Sequence, residues 1–274
     1  TLGTYYQGGI CVKQDEERAS SIFVDLAEKG HWGSKGWCHR FGYGPYLKSK
    51  EKAVECFRKG VEEEDEVSLF GLGECYLKGT GVDKDEVRAV ALLSQAADKG
   101  FAPAIVYLAI CYLEGTGVDK DVVKGLALLS QAADKGFALA ICALGDCYKD
   151  GRGVDKDEVK AVALLSQAAD KGFAPAILLL AWCYLEGTGV DKDEVRAVAL
   201  CSQAADKGFA LAIGALGECY RDGRGVEKDE VKAIEYFKKA ADMGDEYAIS
   251  TLKDMGIAYT PCPAKQEQQL QQEE

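Results

Sequence analysis

The sequence predicts an all-α protein, an α-α superhelix (solenoid) of about seven antiparallel helix hairpins with a 36-residue period. Two observations carry that expectation. The stretch GTGVDKDEVRAVALLSQAADKG begins at Gly79 and returns in near copy at Gly115, Gly151 and Gly187, each start 36 positions after the last. Inside every copy the apolar residues fall at helical spacing between Asp, Gly and Pro signals, so the unit reads as two helices and two short turns. A unit this small cannot bury its own apolar face and must stack on its neighbours.

The unit from Gly79 to Glu114 shows how each element arises. Asp85 precedes the first helix, helix A, where its carboxylate accepts from free amides of the first turn, and Glu86 complements the positive end of the helix dipole. Ala89, Val90, Leu92, Leu93, Ala96 and Ala97 form the apolar side, with Arg88 and Gln95 opposite. Lys99 and Gly100 end the helix. Pro103 then opens helix B, where its missing N–H costs nothing. The core stripe of helix B is Ala104, Ile105, Leu108, Ala109 and Tyr112. Gly115, Thr116, Gly117 and Val118 return the chain to the next Asp cap.

The register extends in both directions. Ala53 and Tyr76 match Ala89 and Tyr112; Gly9, Val12, Asp15 and Ala19 match Gly79, Val82, Asp85 and Ala89; Leu2, Gly3 and Tyr6 match the end of a helix B. The expected organisation is a solenoid over 1–256, with diverged repeats over 1–78, near-identical ones over 79–222 and a last one over 223–256. A Gln-rich polar tail over 257–274 reads as disordered or as a linker.

Composition narrows the function. With 47% hydrophobic and 28% charged residues the chain is globular, and its net charge of −12 is spread evenly along the repeats. Nucleic-acid binding is not expected, because no basic footprint exists for phosphates. No apolar run reaches a membrane span and no signal peptide opens the sequence. Thr1 is not an initiator Met, so an upstream targeting segment stays open. Of eleven cysteines, Cys75, Cys111, Cys147, Cys183 and Cys219 recur once per unit before a Tyr. Copies at packed-helix spacing, roughly 10 Å, lie beyond disulfide reach. They read as buried thiols of a reducing, cytoplasmic compartment.

The pattern L-G-x-C-Y-x-x-G-x-G-V-x-K-D-x-x-K-A with a K/Q-A-A-D-x-G ending resembles the Sel1-like repeat family, relatives of tetratricopeptide repeats. Leu144, Gly145, Tyr148, Gly151, Gly153, Val154, Asp157, Lys160, Ala161, Ala168, Ala169 and Gly172 carry the likeness, which runs over about residues 2 to 255. The resemblance implies a right-handed superhelix acting as an adaptor in multiprotein complexes, without intrinsic catalysis. A secreted cysteine-rich bacterial branch bridges each repeat by disulfides at positions that look like Ala97 and Ile105. No unit here has cysteine at both, so neither those bridges nor that branch's activities carry over. Luminal quality-control members share the fold, and nothing in these residues selects them.

Other signals have structural readings. Gly115-x-Gly117 follows a helix and lacks the Lys-Ser/Thr of a phosphate loop. DKDE lacks the ligand order of an EF-hand and serves capping and solubility. His31, His39 and Cys38 could form a metal site, but diverged helix packing around Trp32 and Trp37 is preferred. No catalytic constellation is in register, so no enzyme, metal or cofactor is expected.

The expected function is a protein-binding scaffold; the alternative is a regulatory or targeting segment of a larger enzyme or kinase-type chain. Candidate partner-binding residues are Arg88, Gln95, Lys124, Gln131, Lys160, Gln167, Arg196 and Gln203 on the polar faces of the A helices. A second set lies off the core stripe of helix B, where alternate units carry Val106, Tyr107, Ile110, Leu113 and Leu178, Leu179, Trp182, Leu185. The units between carry Cys142, Ala143, Asp146, Lys149 and Gly214, Ala215, Glu218, Arg221. Tyr107, Ile110, Leu179 and Trp182 are thus either outer contacts, including a route to self-association, or residues buried by the twist against the adjacent hairpin.

Overall fold

The structure, a computed structural model, describes residues 13–259. It is all-α, with fourteen helices and no strand among the described residues. In chain order they are α1 (Lys13–Glu28), α2 (Trp32–Phe41), α3 (Lys50–Glu62), α4 (Glu66–Lys78), α5 (Glu86–Asp98), α6 (Ala102–Glu114), α7 (Val122–Asp134), α8 (Ala138–Asp150), α9 (Glu158–Asp170), α10 (Ala174–Glu186), α11 (Glu194–Asp206), α12 (Ala210–Asp222), α13 (Glu230–Asp242) and α14 (Glu246–Asp254). They fall into two compact units that divide between Phe173 and Ala174: α1 to α9 in the first, α10 to α14 in the second. Leu2, Gly3, Tyr6, Gly9 and Val12, and residues 260–274 of the tail, lie outside the described residues.

Capping fixes the helix starts. Asp85, Asp121, Asp157, Asp193 and Asp229 each accept a hydrogen bond from the backbone N–H three residues on, closing the first turn of an A helix. α6 starts one residue before the expected Pro103, at Ala102, where the second helical N–H is still without an intrahelical partner. α1 starts at Lys13, so Asp15 lies within it and is not its cap. At the far end of α6, Gly115 adopts φ +80 and its N–H donates to the Cys111 carbonyl. Asp121 N–H then donates to Tyr112 O at 2.9 Å, which pins the seven-residue loop to the helix it leaves.

Within each unit a B helix packs more closely against the A helix that follows it, across the Gly-rich loop, than a B helix packs against an A helix before it in the same unit. The reason is side-chain size at the crossing. Gly73 faces Ala89, where a Cβ on the glycine would lie 3.3 Å from the Ala89 carbonyl oxygen, and Gly145 meets Ala161 at the same 3.3 Å. Ala109 faces Gly125 with the sizes exchanged. In the second unit Gly217 yields its space to the Phe237 ring, 2.8 Å from where its Cβ would be. The natural packing unit is therefore helix B plus the next helix A, half a repeat out of phase with the frame counted from Gly79.

The core of the first unit begins with interlocked aromatics: Trp37 lies edge-on to Phe57 at 5.4 Å and tilted to Phe70 at 6.1 Å. Leu93, Leu129 and Leu165 continue it, and Ile213, Phe237 and Leu252 fill the second unit. Burying each such side chain stabilises by about 1.5–3 kcal/mol. Two expectations for helix B are corrected. Tyr112 is only partly buried, whereas Val106, outside the expected stripe, is buried; Cys111 is buried as its thiol reading expects. The reason is that α6 touches α5, α7 and α8, so its buried stripe is wider than one neighbour would require.

Candidate protein-binding surfaces

The four cations expected on the A helices are exposed, and each lies over the ring of the tyrosine twelve residues earlier, at the end of the preceding B helix. Arg88 Cζ sits 5.9 Å from the Tyr76 centroid, Lys124 Nζ 4.2 Å from Tyr112 and Lys160 Nζ 4.0 Å from Tyr148 in the first unit. In the second, Arg196 Cζ is 4.5 Å from Tyr184, and Lys232, outside the expected set, is 5.2 Å from Tyr220. A cation over the negative face of an aromatic ring is attracted to it. Lys124 and Lys160 also donate hydrogen bonds to the tyrosine hydroxyls at 2.6 and 2.7 Å. That bond raises the Lys124 ammonium above its usual range. The Cys-Tyr dipeptide of each repeat thus has two tasks: the thiol fills the core and the ring seats a charge.

Gln95, Gln131, Gln167 and Gln203 are exposed two turns further along the same helices. Beside the cations stands a row that sequence reasoning missed. Val87, Val123, Val159, Val195 and Val231 are 69–79% exposed. The signal was legible, since each valine immediately precedes or adjoins the cation in the run after the Asp cap and lies off the buried stripe.

The helix B candidates divide between two outcomes. In the first unit Tyr107 packs edge-on to Phe70 at 5.2 Å, and burial pushes its hydroxyl up to about 12. Val106, Leu178 and Leu185 are buried, and Leu113 and Leu179 are half-buried. Ile110 and Trp182, at equivalent positions, remain 38% and 45% exposed. In the second unit Trp182 borders an apolar groove of about 430 Å³, formed with Leu179, Leu211, Gly214, Ala215 and Tyr247 and bordered also by Glu218 and Asp245. The groove exists because α10 presents bulky residues where α12 presents Gly214 and Ala215.

The remaining polar candidates have local roles. His31 Nδ1 caps α2 by accepting from Ser34 N, and His39 Nδ1 lies 3.1 Å from the Leu47 carbonyl. Among the described residues no three His, Cys, Asp or Glu side chains are grouped as a metal site, and no helix is long and apolar enough to cross a membrane. The nine described cysteines are buried, and none of them forms a disulfide among the described residues. Burial pushes Cys142 up to about 12 and Cys111 to about 11. Cys201 stands where Leu93, Leu129 and Leu165 stand in earlier repeats, and it shares a hydrogen bond with Cys219. That bond, and then burial, raise the Cys201 thiol.

The Sel1 repeat family model matches residues 2–19, 32–65, 67–101, 102–137, 138–173, 174–209 and 210–245. The chain belongs to the Sel1 repeat family. Its frame from 67–101 onward is helix B followed by helix A, the same phase as the close packing across the Gly-rich loops. A Sel1 repeat protein from Oxalobacter formigenes is similar at 31% identity with a TM-score of 0.66, over 81% of this chain and 89% of that one. The protective antigen c5321 of uropathogenic Escherichia coli, described as having an SLR fold, is similar at 27% identity with a TM-score of 0.59, over 90% of this chain and 54% of that one. Over 85 residues the sequence is 33% identical to the ERAD-associated E3 ubiquitin-protein ligase component HRD3B of Arabidopsis thaliana. That stretch is 31% of this chain and spans 13% of HRD3B.

Proposed function

We propose that these Sel1 repeats form a non-catalytic scaffold that presents a repeat-built surface to partner proteins. The observation that carries the reading is the repetition of exposed chemistry in fixed register: a cation seated on a tyrosine, an exposed valine beside it and a glutamine two turns on, once per repeat. A catalytic centre would be assembled once from unlike groups, whereas identical surface elements at regular intervals suit an extended polypeptide partner. Family membership supports the same reading, since Sel1 repeat proteins bind proteins. No cofactor or chemistry is assigned to the chain.

A second reading, that the repeats are the binding segment of a larger chain or assembly, is favoured by the likeness to HRD3B, which is a component of a ligase and is far longer than the matched stretch. In either case the test is capture with the chain as bait, mass spectrometry of what is retained, and titration with the purified partner. The variant Arg88→Gln/Lys124→Gln/Lys160→Gln/Arg196→Gln should keep its helical circular dichroism and bind the partner at least tenfold more weakly. Retention of no stoichiometric protein overturns the scaffold reading.

A further inference from the structure

We infer that the groove bordered by Trp182 in the second unit is a docking site for a short peptide segment carrying a large apolar side chain and, within a few residues of it, a lysine or arginine. The inference rests on the scaffold reading and names one surface and one partner chemistry within it.

The shape comes from the two-repeat alternation. Leu179 and Trp182 of α10 form one wall, Gly214 and Ala215 of α12 form the floor, and Tyr247 of α14 closes the other side. Trp182, Leu211 and Tyr247 are 45%, 53% and 52% exposed. Three large apolar or aromatic side chains held around a floor of small residues make a concave apolar seat, the form in which aromatic anchors contribute most to binding.

The charge follows from a comparison of equivalent positions along the B helices. Position 74 is Glu, 110 Ile, 146 Asp, 182 Trp and 218 Glu, so acids alternate with apolar residues. In the first unit both acids are matched within the chain. Glu74 pairs with Lys78 and, at 3.7 Å, with Arg40, and Asp146 pairs with Arg152 and, at 2.8 Å, with Lys149. Glu218 instead accepts the Tyr247 hydroxyl and makes no ion pair among the described residues. Among the described residues Asp245 accepts backbone N–H groups, from Tyr247 at 3.0 Å and Ala248 at 3.4 Å. Arg221, which also reaches the Tyr247 hydroxyl, is held in a fork on Asp222 at 2.8 and 3.2 Å. Glu218, half-buried at the edge of the apolar seat and without a cationic partner among the described residues, on a chain of net charge −12, selects a basic group on the incoming segment, whereas Asp245 is buried as the cap of α14. The C-terminal stretch Pro261–Glu274 has Lys265 and Leu270 but no aromatic residue, and its three Glu outweigh the one Lys, so it matches the acidic rim less well than a basic segment from a partner.

The experiment is selection from a phage-displayed random dodecapeptide library on the immobilised full chain, followed by fluorescence anisotropy with the selected peptides. The expected peptides pair Leu, Phe or Trp with Lys or Arg. Trp182→Ser, and Ala215→Leu, which fills the floor with the side chain that α10 carries at the equivalent position, should each weaken binding at least tenfold with little change in melting temperature. Glu218→Gln should weaken it several-fold and reduce its dependence on salt. Acidic or purely polar peptides, binding indifferent to Trp182→Ser and Ala215→Leu, or no selected peptide would overturn the groove assignment. A dimer in light scattering that Trp182→Ser converts to monomer would assign the groove to a second copy and also overturn it. Selected peptides that ignore the groove variants but fail on the fourfold cation variant would remove the groove and leave the scaffold standing.

Discussion

Lys160 holds its ammonium 4.0 Å from the centroid of the Tyr148 ring and donates a 2.7 Å hydrogen bond to the hydroxyl of the same tyrosine. The ring is partly buried and the lysine exposed, so the two members of the pair are unequal. Lys124→Met/Lys160→Met should move the melting temperature by no more than about 2 °C, because exposed charge interactions contribute little to stability. Tyr148→Ala also removes ring surface from the core and should cost about 2 kcal/mol, roughly 4–8 °C. Differential scanning calorimetry checks the inequality, and equal losses would mean that the rings serve only the cations.

The exchange of sizes between Ala109/Gly125 and Gly145/Ala161 predicts energetic coupling. A Cβ on Gly125 would lie 2.9 Å from the Ala109 carbonyl oxygen and 2.8 Å from Leu113 Cγ. Gly125→Ala should therefore lose about 1–2 kcal/mol, with overpacking outweighing the gain in helix propensity. Ala109→Gly loses about 1 kcal/mol by propensity. The double variant should lose less than the sum of the singles by at least about 0.5 kcal/mol in denaturant titration; strict additivity would show that the crossing is loose.

Gly117 has φ +68, and a Cβ there would collide with the Glu86 carbonyl, at the start of the preceding A helix. Gly117→Ala combines left-handed strain with a backbone collision and should cost about 3 kcal/mol. Gly115→Ala has the same kind of strain at φ +80, but its nearest contact is the Lys120 Cβ at 3.2 Å. It should cost about 1–2 kcal/mol. Chemical denaturation distinguishes them, and equal costs would show that the loop does not lock one repeat onto the one before.

The buried thiols give the protein an alkaline limit. An unfolded cysteine deprotonates near pH about 8.5, whereas burial pushes Cys142 up to about 12 and Cys111 to about 11. Between these values the unfolded chain releases protons that the folded chain keeps. Their stabilising effect is full below about pH 8.5 and declines as pH rises toward 12. Melting temperature should fall between about pH 9 and 11, and Cys142→Ala should flatten the decline. Alkylation without reductant should label the thiols only once the chain is unfolded, as expected for a reducing compartment; protection of pairs after unfolding would contradict it.

The sequence by itself determined the repeats, because helix starts and stops depend on local chemistry. Asp85 and its copies cap through an amide three residues away, Gly115 and its copies terminate the helix they follow, and the buried stripe Ala89, Leu93, Ala96 follows from helical periodicity. The polar rows Arg88 to Arg196 and Gln95 to Gln203 were legible for the same reason, as the side of a helix opposite its apolar stripe.

Only the tertiary structure decided what lies between helices. Residues twelve apart, such as Lys124 and Tyr112, meet because the loop folds back, and Cys201 meets Cys219 because α11 packs on α12. Tyr107 and Trp182 come from the same helical face, yet one is seated against Phe70 and the other borders an open groove. Burial of a side chain is set by the size of its neighbours on other helices, Gly214 and Ala215 beside Trp182, and periodicity along one helix carries no information about those sizes.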